Sequence, residues 1–177
     1  MASTVALVTL EDYLATGYRP DREWIDGELK ERNVGKWEHA RVQALLAIWL
    51  GQNEAAWGVQ VGTESRMQVS PRRIRIPDVV LVPAGAQPEV LVDPPVLVVE
   101  VLSPEDSYSD TQERAQDYLE MGIRAVWLID PKSRTGRMCI ENAWVLATRL
   151  TVPHSPIYCE LDTLFAQLPP RQNPSPR

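Results

Sequence analysis

Apolar positions along the chain recur with two periods, and the switches between them mark the elements. In residues 36–58, KWEHARVQALLAIWLGQNEAAWG, the residues Val42, Leu45, Leu46, Trp49 and Leu50 fall at helical spacing and Gly58 closes the run. Residues three and four apart share a helix face, so the segment predicts one amphipathic helix. A short helix is expected over LEDYLAT, with Thr9 as its cap and an end near Gly17. Two more are expected over DSYSDTQERAQDYLEMG, ending at Gly122, and over ELDTLFAQL.

The second period is that of strands. REWIDGELKER carries Asp26-Gly27 between short alternating runs, a strong hairpin signal. VQVGTESRMQV alternates and predicts a strand, followed by SPRRIR as a turn with a basic cluster. IPDVVLVP and PPVLVVEVLSP are β-branched apolar runs bounded by proline, as buried central strands are. IRAVWLIDP predicts another strand, and RMCIENAWVLATRLTV one or two at a far edge. The order is helix, hairpin, helix, three strands, helix, strands, helix. It predicts an α/β or α+β domain with a mixed central sheet. The domain is expected over residues 5–168. The tail 169–177, PPRQNPSPR, has the proline-rich polar composition of a disordered segment.

Composition narrows the function. At 177 residues the chain fits one domain, and 44% hydrophobic residues suffice for a core. It has no apolar run near the ~18 residues of a membrane span and no basic secretory n-region, so a cytoplasmic location is expected. Cys139 and Cys159 are too few for a disulfide framework and read as free thiols. A net charge of −6 argues against broad nucleic-acid affinity, although a local basic groove can still steer a phosphate backbone. Nucleophile-elbow, P-loop and dinucleotide fingerprints are absent from the sequence.

Two acids stand out because they interrupt apolar strands. Asp78 follows Pro77 at the start of DVVLV, and Glu100 lies within VLVVEVLS. A buried carboxylate is costly unless it is paired or binds a cation. The separation suits neighbouring strands joined by the loop PAGAQPEVLVDPP, so the two carboxylates can make a hard-oxygen site for Mg²⁺ or Mn²⁺. The structural alternative has Asp78 capping a turn and Glu100 paired with a buried arginine.

REWIDGEL, WEHARV, RIPDVVLV, VVEVLSPEDSYSD and YLEMGIRAVWLIDP together resemble the Uma-type family of restriction endonucleases, within the PD-(D/E)xK nuclease superfamily. The resemblance runs from about Leu10 to Leu168. It implies a restriction-endonuclease-like mixed sheet flanked by helices, and a divalent-metal-dependent nuclease acting on DNA, with a homodimer as the assembly. Carried over by residue, Asp78 and Glu100 are metal-binding acids and the Val101 carbonyl a further ligand. His39, beside Glu38, and Glu28 match a histidine and an acid typical of the family, and would orient water or a second ligand.

One position departs from that pattern. The superfamily lysine two residues after the second acid is Leu102 here, and the helix position to which such families move it is Arg114. Arginine keeps the charge and can clamp phosphate, but it cannot act as a base near neutral pH. Asp110, Arg114 and Tyr118 share one helix face, so a surface pair between Arg114 and Asp110 is the bland reading. Arg72, Arg73 and Arg75 read as a solvated turn in preference to a phosphate contact. Trp37, Trp49, Trp57 and Trp127 read as core and interface residues. A catalytically degenerate nucleic-acid-binding or dimerising module on the same fold is the second functional reading.

Overall fold

The computed structural model describes residues 7–32, 35–140 and 143–170. The expected boundary at residue 5, and the tail beyond Pro170, lie outside the described residues.

The first element is the short helix α1, Leu10–Ala15, whose Thr9 side chain accepts from the Asp12 N–H at 3.1 Å. The hairpin follows as β1, Arg22–Ile25, and β2, Glu28–Glu31. Asp26 and Gly27 both take positive φ, 52° and 94°, as the tight two-residue turn requires. The long helical pattern forms α2, Trp37–Gln52, and a separate turn α3, Glu54–Trp57, where one helix was expected. The break is at Asn53, whose backbone leaves the helical region and whose side-chain amide donates to the Trp49 carbonyl at 2.8 Å.

The alternating segment after Gly58 also divides. Val59–Thr63 is β3 and Met67–Ser70 is β4, with Glu64 between them at φ 50°. They enter different sheets, because β3 pairs with Val79–Pro83, β6, and β4 with Arg73–Arg75, β5. The predicted turn SPRRIR is thus a turn only at Pro71 and Arg72, and Arg73 and Arg75 lie in a strand. Then come β7, Leu97–Val101; α4, Tyr108–Met121, capped by Gly122 in the left-handed region; and β8, Val126–Asp130. The far edge holds β9, Thr135–Ile140, and β10, Ala143–Ala147. A separate two-stranded sheet pairs β11, Arg149–Thr151, with β12, Tyr158–Glu160, before the closing helix α5, Leu161–Phe165.

These elements make a mixed α+β fold. The central six-stranded sheet has the order β10-β9-β8-β7-β6-β3, with β7 and β8 parallel and the other neighbours antiparallel. Side chains alternate across it. On one face Val79, Leu81, Leu97, Val99 and Trp127 pack with Val42, Leu45, Leu46 and Leu50 of α2 and with α5. On the other, Val80, Val82, Val98 and Val126 pack with Tyr118 of α4 and Met67 of β4. Trp127 is buried and donates to the Thr151 carbonyl at 3.0 Å, and Trp49 donates to that of Tyr158 at 2.7 Å, as core and interface tryptophans should. Trp37 is 74% exposed.

The second sheet, β2-β1-β5-β4, is tied to α4 by charge. Arg75 is 3% exposed and reaches Glu23 of β1 at 2.8 Å, Asp117 of α4 at 2.7 Å and Glu113 at 3.0 Å. Arg73 adds Asp117 at 2.8 Å, whereas Arg72 stays in solvent beside Asp26. The solvated-turn reading therefore holds for Arg72 and fails for Arg75.

Removing one partner from a buried ionic cluster strands the others in a poorly solvated place. Arg75→Ala is expected to lower the free energy of urea unfolding by ~3–5 kcal/mol, and Arg72→Ala by under ~0.5 kcal/mol. Equal small losses would mean that the cluster does not hold the second sheet.

Candidate metal and phosphate site

Register brings the two acids together. The β6–β7 ladder pairs Val79 with Val99, Val80 with Val98 and Leu81 with Leu97. Extended by one step, the same register would set Asp78 opposite Glu100. Asp78 bends out of the ladder just before β6, and its Oδ2 accepts the Val101 N–H at 2.7 Å. The amide and carbonyl of a strand residue face the same edge, so the Val101 carbonyl also faces Asp78. Glu100 shares its sheet face with Val98, toward α4.

From α2, His39 Nε2 comes to 3.5 Å from Asp78 Oδ1, and its Nδ1 lies 3.2 Å from Ser103 Oγ. Gly35 lets the ring sit close to the chain, since a Cβ there would lie 2.3 Å from His39 Cδ2. Gln43, one turn on, donates to the Asp78 carbonyl at 3.0 Å. Arg32, just past β2, donates to Asp78 Oδ1 at 2.5 Å. From α4, the Tyr118 hydroxyl donates to Glu100 Oε1, and Arg114 Nη1 lies 3.6 Å from Glu100 Oε2. Arg114 Nε lies 3.8 Å from Glu23.

Asp78, Glu100, Val101, His39 and Arg114 thus lie near one another at this end of the sheet. Arg114 turns inward to the acids, and Asp110 remains exposed and caps α4 through Ser107. Glu28 does not join them. It stands exposed at the start of the outer strand β2, and among the described residues its side chain makes no ion pair or hydrogen bond with the cluster. Arg32 and Glu23 were missed. Arg32 lies in a polar run with no periodic signal, and Glu23 is one acid in an ordinary alternating strand.

Burial alone would favour neutral forms of both acids, and their neighbours decide the outcome. At Asp78 the His39 contact, Arg32 and the Val101 N–H outweigh burial and hold the carboxyl below the usual range. Burial opposes charge on His39, but Asp78 outweighs it and raises the imidazole above its ordinary value. At Glu100 burial wins over Arg114, with Asp78 adding like-charge repulsion, and the carboxyl is pushed up to about 7.

Among the described residues no three histidine, cysteine or acidic side chains gather as a metal cluster. The available donors are two carboxylates and one carbonyl. This hard-oxygen set fits Mg²⁺ or Mn²⁺ better than zinc, whose sites favour nitrogen and sulfur. A cation at Asp78 Oδ1 would compete with Arg32.

The family model described as "Uma2: Putative restriction endonuclease" matches residues 10–158. The chain belongs to this family. A crystal structure described as a putative nuclease belonging to DUF820, from Anabaena variabilis, is similar in fold at 18% identity and a TM-score of 0.77, covering 90% of this chain and 98% of that one. A cryo-EM structure of a DrdV–DNA complex gives 18% identity and a TM-score of 0.41, covering 70% of this chain and 10% of that one. No curated protein matches. The fold is therefore that of restriction-endonuclease-like nucleases.

Glu100 supplies a pH signature. Its folded pKa lies above its unfolded value, so between about 4.5 and about 7 the folded state holds a proton that the unfolded chain releases. Its contribution to stability is present below that window and is lost as pH rises through it. Urea titrations at pH 5 and pH 8 should show Glu100→Gln gaining stability relative to wild type at the higher pH. A difference independent of pH would refute the raised pKa.

Proposed function

We propose that the chain is a Mg²⁺- or Mn²⁺-dependent nuclease that hydrolyses phosphodiester bonds of DNA. The observation that carries this reading is the convergence of Asp78, Glu100 and the Val101 carbonyl at one sheet end, in a chain of the Uma2 family. Those three groups would hold the cation, which when bound supplies Lewis-acid polarisation of a phosphate and a lowered pKa for water.

The protein's own groups have separable tasks. His39, Gln43 and the Val101 N–H hold Asp78 in place. Tyr118 fixes Glu100 by donating to one oxygen and leaves the other toward Arg114. Arg114 carries a charge that Glu100 and Glu23 reinforce against burial. It serves to stabilise negative charge developing on phosphate, and it cannot remove a proton. Glu28 stands apart from the cluster, so a role for it would depend on bound substrate. Cutting both strands of a duplex would take two such centres, hence a homodimer. No helix among the described residues is long and apolar enough to cross a membrane.

A specific observation favours the second reading, a degenerate nucleic-acid-binding or dimerising module. Arginines stand beside both acids, and no lysine stands at position 102 or 114. Supercoiled plasmid distinguishes the two. The nuclease should nick it only with Mn²⁺ or Mg²⁺, lose nicking in Asp78→Ala, and slow by ~100-fold or more in Arg114→Ala. No nicking by wild type, with duplex binding retained, would establish the module. Nicking gained in Arg114→Lys would then show that the arginine silenced it.

A further inference from the structure

Arg32 holds Asp78 with half of the guanidinium edge it presents. Nη2 donates to Asp78 Oδ1 at 2.5 Å, while Nε, on the same edge of the plane, is buried and has no acceptor among the described residues. Asp78 Oδ2 is occupied by the Val101 N–H at 2.7 Å, so the carboxylate is turned away from the side-on pairing that satisfies both donors. A buried donor left without a partner is costly. The contact lies in a cleft of about 220 Å³ whose polar lining is Asp21, Arg32, His39, Gln43, Glu64 and Asp78. A phosphate presents two oxygens on one face and can take Nε and Nη2 together.

We propose that Arg32 is the substrate-phosphate residue of this site and that Asp78 is its resting partner. This rests on the metal-dependent reading of Asp78 and Glu100. Arg32 gives up Asp78 Oδ1 when a divalent cation takes that oxygen, and its two donors pass to the phosphate of a nucleic-acid strand lying in the cleft. In the resting state the guanidinium neutralises Asp78 and thereby opposes cation entry. Arg32 and Arg114 divide the work, one approaching the acids from beyond β2 and the other from α4.

The test titrates Mn²⁺ alone into wild type, Arg32→Gln, Arg32→Lys and Asp78→Ala by calorimetry. A labelled DNA duplex is titrated in Ca²⁺ and followed by anisotropy. Arg32→Gln should bind Mn²⁺ about tenfold more tightly and duplex about tenfold more weakly than wild type, the scale of one charge-assisted contact. Arg32→Lys keeps the charge but not the two-donor edge. It should bind Mn²⁺ as wild type does and duplex more weakly, which keeps the test open if Arg32→Gln misfolds by near-UV circular dichroism. Equal Mn²⁺ affinity in wild type and Arg32→Gln, with binding lost in Asp78→Ala, would overturn the role of Arg32 and leave the metal site standing. No Mn²⁺ binding by any variant would overturn both.

Discussion

Buried carboxylates facing buried guanidiniums are the constraint on which this structure depends. Glu23, Asp78, Glu100 and Asp117 are each at most 6% exposed, and each must meet a cation or a donor to remain inside. Arg75 answers Glu23 and Asp117. Arg114 lies between Glu23 and Glu100, and Arg32 answers Asp78. The chain of contacts runs from the second sheet across α4 to the end of the central sheet. It places the site's charged groups and also docks the layers.

That arrangement differs from an apolar core in what it permits. Hydrophobic faces such as Leu46 against Val99 are non-directional, and they fix the fold without selecting a ligand. Charged pairs are directional, and any one can exchange its partner for another of the same sign. Asp78 can accept a cation in place of a guanidinium, and a guanidinium can accept a phosphate in place of a carboxylate. Glu100, pushed toward neutrality by burial and by Asp78, is the weaker anion of the pair, so a proton would compete there with any cation. Although the overall charge is −6, Arg32, Arg75 and Arg114 lie inside among the buried acids.

The helix α4 has the widest reach. Its Ser107 cap and Gly122 terminus set its length, and its inward face carries Glu113, Arg114, Asp117 and Tyr118. Asp117 and Glu113 hold the second sheet, whereas Arg114 and Tyr118 hold Glu100. Positions three and four apart on one helix therefore couple domain assembly to the site.

Sequence by itself determined the elements whose signal is local. The Asp26-Gly27 hairpin, the caps at Thr9 and Gly122, and the buried strands β6 and β7 each follow from residues a few positions apart. It also singled out Asp78 and Glu100, because a lone acid in an apolar run has no local justification. Register and partnership were decided only in three dimensions. Whether VQVGTESRMQV is one strand or two depends on which sheets lie alongside it. Whether Arg75 is solvated or buried depends on acids about forty residues later, and whether Arg114 pairs with Asp110 or Glu100 depends on which face of α4 meets the sheet. Arg32 had no pattern to reveal it. Its contact arises where a hairpin's trailing end meets the residue just before a strand, and sequence spacing carries no record of it.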